Sequence, residues 1–277
     1  MVQTFHEIEI ERDEPLAWIT LNRPRAYNAF NLAQWREVTA ALGDAEADPA
    51  IRVVVLRGAE GNFSAGYDLT AAMGELGGNA PDDWRDYVTV GNETCWTAWR
   101  LKKPVIAAVQ GYCLGGAFEL AMACDFVLAS QGAKFGEPEI RFSDAPPFLI
   151  SPWVMGMRQA KHLLLTGDII DAEKAMRFGI LTDLLAEDDL EGAVRRLAKK
   201  LCGFAVENWH FNKTAVNRSY EIMGFEAAID MGTEAFVTTN TTPNALKIEF
   251  VERLERDGFA AAVKWVQSRY SGRPKGE

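Results

Sequence analysis

PVIAAVQGYCLGGAFELAMACDFVLAS, residues 104 to 130, decides the fold. Val105 to Val109 is a wholly apolar run between Pro104 and Gly111, the pattern of a strand buried on both faces. Gly115 and Gly116 then open a helical stretch from Gly116 to Asp125, and Phe126 to Ser130 is a second apolar strand. Strand, helix and strand in that order predict right-handed crossovers and an α/β architecture with a largely parallel sheet. Toward the N-terminus, IRVVVLRG (51 to 58) is another buried strand. FHEIEIERDEPLAWITLN (5 to 22) alternates on either side of Arg12-Asp13-Glu14-Pro15 and predicts an opening hairpin. Between these, Leu32, Trp35, Val38 and Leu42 recur at helical spacing, with Asn31 as N-cap and Gly43 as the stop.

Toward the C-terminus the strand signals cease after about residue 190. Residues 191 to 203, 207 to 224, 224 to 239 and 245 to 270 read as helices, and SGRPKGE as a frayed tail. We therefore expect an α/β core over 1 to 200 and a helical region over 201 to 277, packed on the core or on a neighbouring subunit. GELGGNAPDD, 74 to 83, reads as a flexible loop.

Composition narrows the function classes. The chain has 277 residues, 48% of them hydrophobic and 25% charged, as expected of a folded globular protein. Its net charge of −10 argues against a protein whose main task is neutralising nucleic-acid phosphate or an anionic membrane, so a polyanionic ligand would need a local basic patch. Cys95, Cys113, Cys124 and Cys202 match no metal-binding spacing and read as reduced thiols, and His6, His162 and His210 are too scattered for a zinc motif. No metal site is signalled. The acidic N-terminus has no leader pattern and no segment is long and apolar enough to span a bilayer, which predicts a cytoplasmic location.

Two glycine-containing turns leave strands where α/β sheets place ligands: Asn62 to Leu69, and Gly111 to Gly116. Small residues there let main-chain N–H groups approach a ligand, and a helix starting at Gly116 aims its positive end at it. Neither turn is a nucleotide-binding motif, and both also read simply as tight strand-to-helix connections. Glu119 lies near the start of that helix in an apolar stretch, and Glu139 in FGEPEI between apolar runs. A helix-start carboxylate and a solvated loop glutamate are the plainer readings of these two.

Taken in order, these motifs resemble the enoyl-CoA hydratase/isomerase, or crotonase, superfamily. The resemblance runs through ITLNRP (19 to 24) and Tyr27-Asn28-Ala29, then FSAGYDL (63 to 69). It continues in KPVIAAV (103 to 109), Gly111-Tyr112, Leu114-Gly115-Gly116, Glu119-Leu120-Ala121, Cys124-Asp125, Phe135-Gly136, Pro138-Glu139-Ile140 and LTGD (165 to 168), with Ala172 and Gly179. The fold implied is a crotonase-like spiral of ββα units with largely parallel sheets and an all-helical C-terminal region. The implied substrate is an acyl-CoA thioester, with no cofactor beyond the coenzyme A of the substrate. Its carbonyl oxygen would sit in an oxyanion hole formed by the main-chain N–H groups of Tyr67 and Gly116, where one such donor contributes about 3 kcal/mol. Tyr67, through its side chain, would line the acyl pocket.

The hydratase branch implies more. Glu119, kept ionised by the helix N-terminus, would orient and activate water, and Glu139, held protonated by desolvation, would exchange the proton at the α-carbon. Arg23, Arg25, Ala26, Tyr27, Ala65, Gly66, Asp68, Leu69, Gly115 and Pro138 are the implied substrate and CoA contacts. The family also implies trimers or dimers of trimers. The chain departs from the pattern in Arg141 to Phe148, bulkier than the glycine-rich turn of hydratases, and in Thr70-Ala71-Ala72, which lack a basic residue. CoA phosphates would then depend on Arg23 or Arg25. Met73, Trp84, Tyr87, Trp96 and Trp99 suit either a pocket for a cyclic or aromatic acyl group or core packing. Isomerisation of a 3-enoyl-CoA, and hydrolysis or cleavage of a bulky thioester with Asp144 as the acid, are the alternatives within the fold. A crotonase-fold protein that binds RNA or a partner with weak or no catalysis is the alternative of a different class, and a gel shift beside a hydration assay separates the two.

Overall fold

Val53, Val54, Val55 and Leu56 are all fully buried because the strand they form has a hydrophobic layer on each face. Val54 and Leu56 join one core with Trp35, Val38, Ala98 and Phe118, whereas Val53 and Val55 join another with Trp18, Ile106, Leu190 and Val194. A continuous apolar run is what a period of two produces when both faces are covered.

The computed structural model describes residues 4–242 and 244–270; the expected frayed tail, 271–277, lies outside them. The strands are β1 (Ile8–Asp13), β2 (Leu16–Leu21), β3 (Val53–Gly58), β4 (Val105–Val109), β5 (Tyr112–Leu114), β6 (Phe126–Ser130), β7 (Lys134–Gly136), β8 (Ile170–Asp171) and β9 (Asp183–Leu185). One sheet has the order β1-β2-β3-β4-β6-β9, and β5-β7-β8 form a second. Only β1 with β2 and β7 with β8 run antiparallel. The opening hairpin and the largely parallel sheet are as the sequence predicts.

The helices are α1 (Leu32–Ala47), α2 (Leu69–Glu75), α3 (Pro81–Arg100), α4 (Gly116–Ala123), α5 (Ser151–Val154), α6 (Met157–Thr166), α7 (Ala172–Phe178), α8 (Leu190–Cys202), α9 (Val206–Ile222), α10 (Phe225–Thr241), α11 (Ala245–Asp257) and α12 (Phe259–Tyr270). Asn31 caps α1 as expected, its side chain accepting from the Gln34 N–H. Gly43 does not stop it: Leu42 and Ala45 are buried on either side, and that packing outweighs the roughly 1 kcal/mol cost of a helical glycine.

Other boundaries also move. The loop expected over 74 to 83 shrinks to the residues between Glu75 and Pro81, because Pro81 starts α3 and the Asp83 carboxylate accepts from the Ala80 N–H. The helix expected directly after the strand at 105 to 109 is preceded by β5, which turns into the second sheet. Gly258 separates the last predicted helix into α11 and α12. The C-terminal helices lie partly on the core: Phe225 at the start of α10 is fully buried among Trp96, Trp99, Phe148 and Trp153.

Candidate active site

The two glycine turns lie side by side. Ser64 N–H donates to Tyr112 O (2.7 Å) and Leu114 N–H to Ser64 O (3.1 Å), so the chain leaving β3 is laced to β5. Neighbouring amides are committed: Ala65 N–H donates to Tyr27 O, Asp68 N–H to Phe30 O, Gly66 N–H to Ser64 Oγ, and Gly115 N–H to Gly136 O. Between them the N–H groups of Tyr67 and Gly116 have no acceptor among the described residues, the latter being the first amide of α4. The backbone enforces this approach. Gly66 (φ +93°) and Gly115 (φ +54°) occupy the left-handed half of conformational space, and a Cβ on Gly66 would lie 2.6 Å from Leu114 O. Ala65, Gly66, Tyr67, Gly115 and Gly116 are therefore gathered at one place.

Both predicted glutamates meet there. A Cβ on Gly115 would stand 2.6 Å from Glu139 Oε1, which puts this carboxylate against the Gly115-Gly116 turn. Glu119, in the first turn of α4 and 1% exposed, accepts from the Phe148 N–H at 2.8 Å. Burial pushes Glu119 well above the usual carboxylate range, the charges of Glu137 and Glu139 push it the same way, and the Phe148 N–H opposes them. Burial therefore works against the helix N-terminus that is expected to keep Glu119 ionised. Burial also raises Glu139, followed by the charge of Glu137, and its Oε2 is enclosed without a donor among the described residues.

Glu137 is a group the sequence reading missed. It is 1% exposed, and neither carboxylate oxygen has a hydrogen-bond donor among the described residues. Burial pushes it up to about 7; the buried Ser151 hydroxyl is near enough to restrain that rise without reaching good hydrogen-bond geometry. It stands between Gly136 and Pro138 of a recognised motif, and only its burial marks it out. Three neighbouring carboxyls in one low-dielectric region disfavour one another's ionisation.

The Tyr67 ring forms one wall. It lies 5.4 Å from the Trp35 ring and 6.0 Å from Tyr87, which in turn meets Trp84, and Trp84 meets Phe236. Burial raises the Tyr67 phenol far above its ordinary value, followed by the charge of Glu119. Of the aromatic side chains the sequence left open, Trp84 and Tyr87 stand in this cluster, whereas Trp96 and Trp99 pack into the main core around Phe225. Met73 is 46% exposed.

The expected CoA contacts separate. Arg23 is turned inward: it pairs with Glu7 (3.0 Å) and Asp68 (2.9 Å), donates to Ala29 O, and is 18% exposed. It is a bracket between three chain segments, and these partners occupy the guanidinium expected to meet a CoA phosphate. Asp68 serves the same bracket and caps α2 through the N–H groups of Thr70 and Ala71, with Leu69 as the first residue of that helix. Arg25 is exposed on the turn Pro24–Ala26 and pairs with no carboxylate among the described residues. Tyr27 follows it, 57% exposed and edge-on to Tyr112. Pro138 opens the turn that carries Glu139.

Away from these groups, a cavity of about 530 Å³ is lined by Trp99, Trp153, Tyr220 and the buried ion pair of Asp125 with Lys213 (2.7 Å). None of the residues that line it belongs to the carboxylate cluster. Among the described residues no set of His, Cys, Asp and Glu is arranged to hold a metal, and no helix is long and apolar enough to cross a membrane.

Known proteins resemble this chain over most of its length. The family described as enoyl-CoA hydratase/isomerase matches residues 11–257. A probable enoyl-CoA hydratase of Rhizobium meliloti is 38% identical over 79% of this chain and 84% of its own length. A short-chain-enoyl-CoA hydratase of Clostridium acetobutylicum is 32% identical over 92% and 98%, respectively. The crystal structure of an enoyl-CoA hydratase/isomerase from Xanthobacter autotrophicus Py2 superimposes with a TM-score of 0.92 at 36% identity, covering 96% of this chain and 99% of that one.

Proposed function

The chain belongs to the enoyl-CoA hydratase/isomerase family and is a lyase of the hydratase type, and within that class we propose that it adds water across the 2,3 double bond of a 2-enoyl-CoA with Glu119 and Glu139 as its proton-transfer groups. The observation that carries this reading is the meeting of two amides without an acceptor among the described residues, Tyr67 and Gly116, with two glutamates at one pair of glycine turns. The thioester oxygen, accepting from both amides, gains negative charge as water attacks carbon 3, and fixed N–H dipoles stabilise that charge without reorganising. Glu119, in its ionised form, takes a proton from the water while Glu139 gives one to carbon 2. The net charge of the pair is unchanged through the step, as suits a site whose carboxyls disfavour one another's ionisation. The reaction uses no cofactor beyond the CoA of the substrate.

For the CoA phosphates we propose Arg25, the one of the two expected arginines that faces solvent unpaired. The aromatic wall of Tyr67, Tyr87 and Trp84 would receive the acyl group. Thioester hydrolysis or isomerisation with Asp144 as the acid is less well supported, because that carboxylate already accepts from Thr239, Asn240 and Lys247. We propose further that the protein acts in the cytoplasm as a homotrimer or dimer of trimers, a reading supported by exposed Phe211, Ile222, Met223 and Met231 on and beside α9 and α10. The test is to incubate the purified protein with short, long, cyclic and aryl 2-enoyl-CoAs and follow loss of the conjugated double bond beside release of free CoA. Loss without thiol is the expected result, and thiol release in step with substrate loss would contradict the proposal.

A further inference from the structure

Residues 139 to 148 do two things at once. They carry Glu139, and through the Phe148 N–H they supply the hydrogen bond that holds Glu119. The middle of this segment is tied to the C-terminal helices by Asp144. Its main-chain N–H donates to Glu139 O at 3.0 Å. Its Oδ1 accepts from the N–H of Ala145 (2.9 Å), the Thr239 hydroxyl (3.0 Å) and the Asn240 amide (2.8 Å), and its Oδ2 from Lys247 Nζ (3.2 Å). Lys247 also donates to Asn240 Oδ1, and the side chains of Asp144 and Lys247 are each only 16% exposed. Along the same segment Phe142 packs on Phe250 of α11, Pro147 O accepts from Thr233 of α10, and Arg141 O accepts from Tyr270 of α12.

We propose that Asp144 is a positioning residue for both glutamates: through Thr239, Asn240 and Lys247 it fastens the segment that bears Glu139 and holds Glu119 to α10 and α11. This rests on the reading that those two glutamates carry the hydration. Neither has much else to hold it, since Glu139 Oε2 has no donor and Glu119 has one main-chain hydrogen bond among the described residues. Small displacements of reacting groups lose large factors in rate while the distant CoA contacts still bind, so the latch acts on kcat rather than KM. Asp144 is satisfied by donors already and is not required to pass a proton.

The experiment is crotonyl-CoA hydration by Asp144→Ala, Asp144→Asn and the double variant Asp144→Asn with Lys247→Met, with circular dichroism to confirm folding. Asp144→Ala is expected to lower kcat about 10- to 100-fold with KM within about threefold of wild type. Asp144→Asn strands the Lys247 cation, and adding Lys247→Met removes it, so the double variant should exceed the single one in kcat about fivefold or more. Wild-type kcat in Asp144→Ala would overturn the proposal. So would an Asp144→Asn variant as slow as the alanine and unimproved by Lys247→Met, which would make Asp144 a proton-transfer group. Should the alanine variant not fold, the rescue decides. Glu119→Gln and Glu139→Gln run alongside: full activity in both would overturn the hydration reading and this one with it. Their inactivity beside an unaffected Asp144→Ala would overturn this one alone.

Discussion

Replacing Glu137 with glutamine keeps the shape of the side chain and removes its titration. Burial raises Glu137 from the ordinary 4.5 to about 7, so the folded protein holds this proton where the unfolded chain releases it. Below about pH 4.5 both states are protonated and the residue contributes nothing to the pH dependence. Between 4.5 and 7 the native state alone keeps the proton, so this residue's contribution to stability falls as pH rises, and above 7 the fold carries the full cost of a buried carboxylate. A rise from 4.5 to about 7 corresponds to roughly 3 kcal/mol. Urea unfolding of wild type and Glu137→Gln at fixed protein concentration from pH 5 to 8 measures it. The variant should gain on wild type across that range and level off near pH 8. A second consequence follows for activity, because the charge of Glu137 helps keep Glu139 protonated. Without it, the alkaline limb of the pH profile for hydration should move to lower pH. A stability difference that stays flat from pH 5 to 8, or an alkaline limb that moves upward, would refute this reasoning.

Other substitutions test other parts of the site. Gly115→Ala places a Cβ 2.6 Å from Glu139 Oε1 at φ +54°, and should lower kcat for hydration about 100-fold or more while circular dichroism shows a folded protein. Gly91→Ala drives a methyl within 2.3 Å of the Tyr67 hydroxyl, and thermal unfolding should show a loss of about 1–3 kcal/mol, partly recovered in combination with Tyr67→Phe. Arg25→Ala should raise KM for a 2-enoyl-CoA several-fold, less so at high salt, with little change in Tm. Arg23→Ala should do the reverse, with a stability loss of roughly 2–4 kcal/mol from stranding Glu7 and Asp68.

What could be read from the sequence was local. The apolar run at 105 to 109, the alternation at 5 to 22 and the Asn31 cap each follow from short-range chemistry, and the structure agrees with all three. The positions of Glu119 and Glu139 came from motif order, and folding brings both to the same pair of glycine turns. What could not be read depends on partners far away in the chain. Arg23 looks like a free cation until Glu7 and Asp68 arrive beside it. Asp144 looks like a spare acid until α10 and α11 supply its donors from 95 to 103 residues later. Glu137 is indistinguishable from a loop glutamate until its environment is closed off from water. Gly43 failed as a stop because tertiary burial on both sides of it overrides local propensity.

The central claim is that Glu119 and Glu139 together perform the hydration, and kcat for crotonyl-CoA measured on wild type, Glu119→Gln and Glu139→Gln tests it most directly. The account predicts a fall of about 10²- to 10⁴-fold in each variant with KM close to wild type, since a lost proton-transfer group costs that much. Either variant retaining more than about a tenth of the wild-type rate would contradict it.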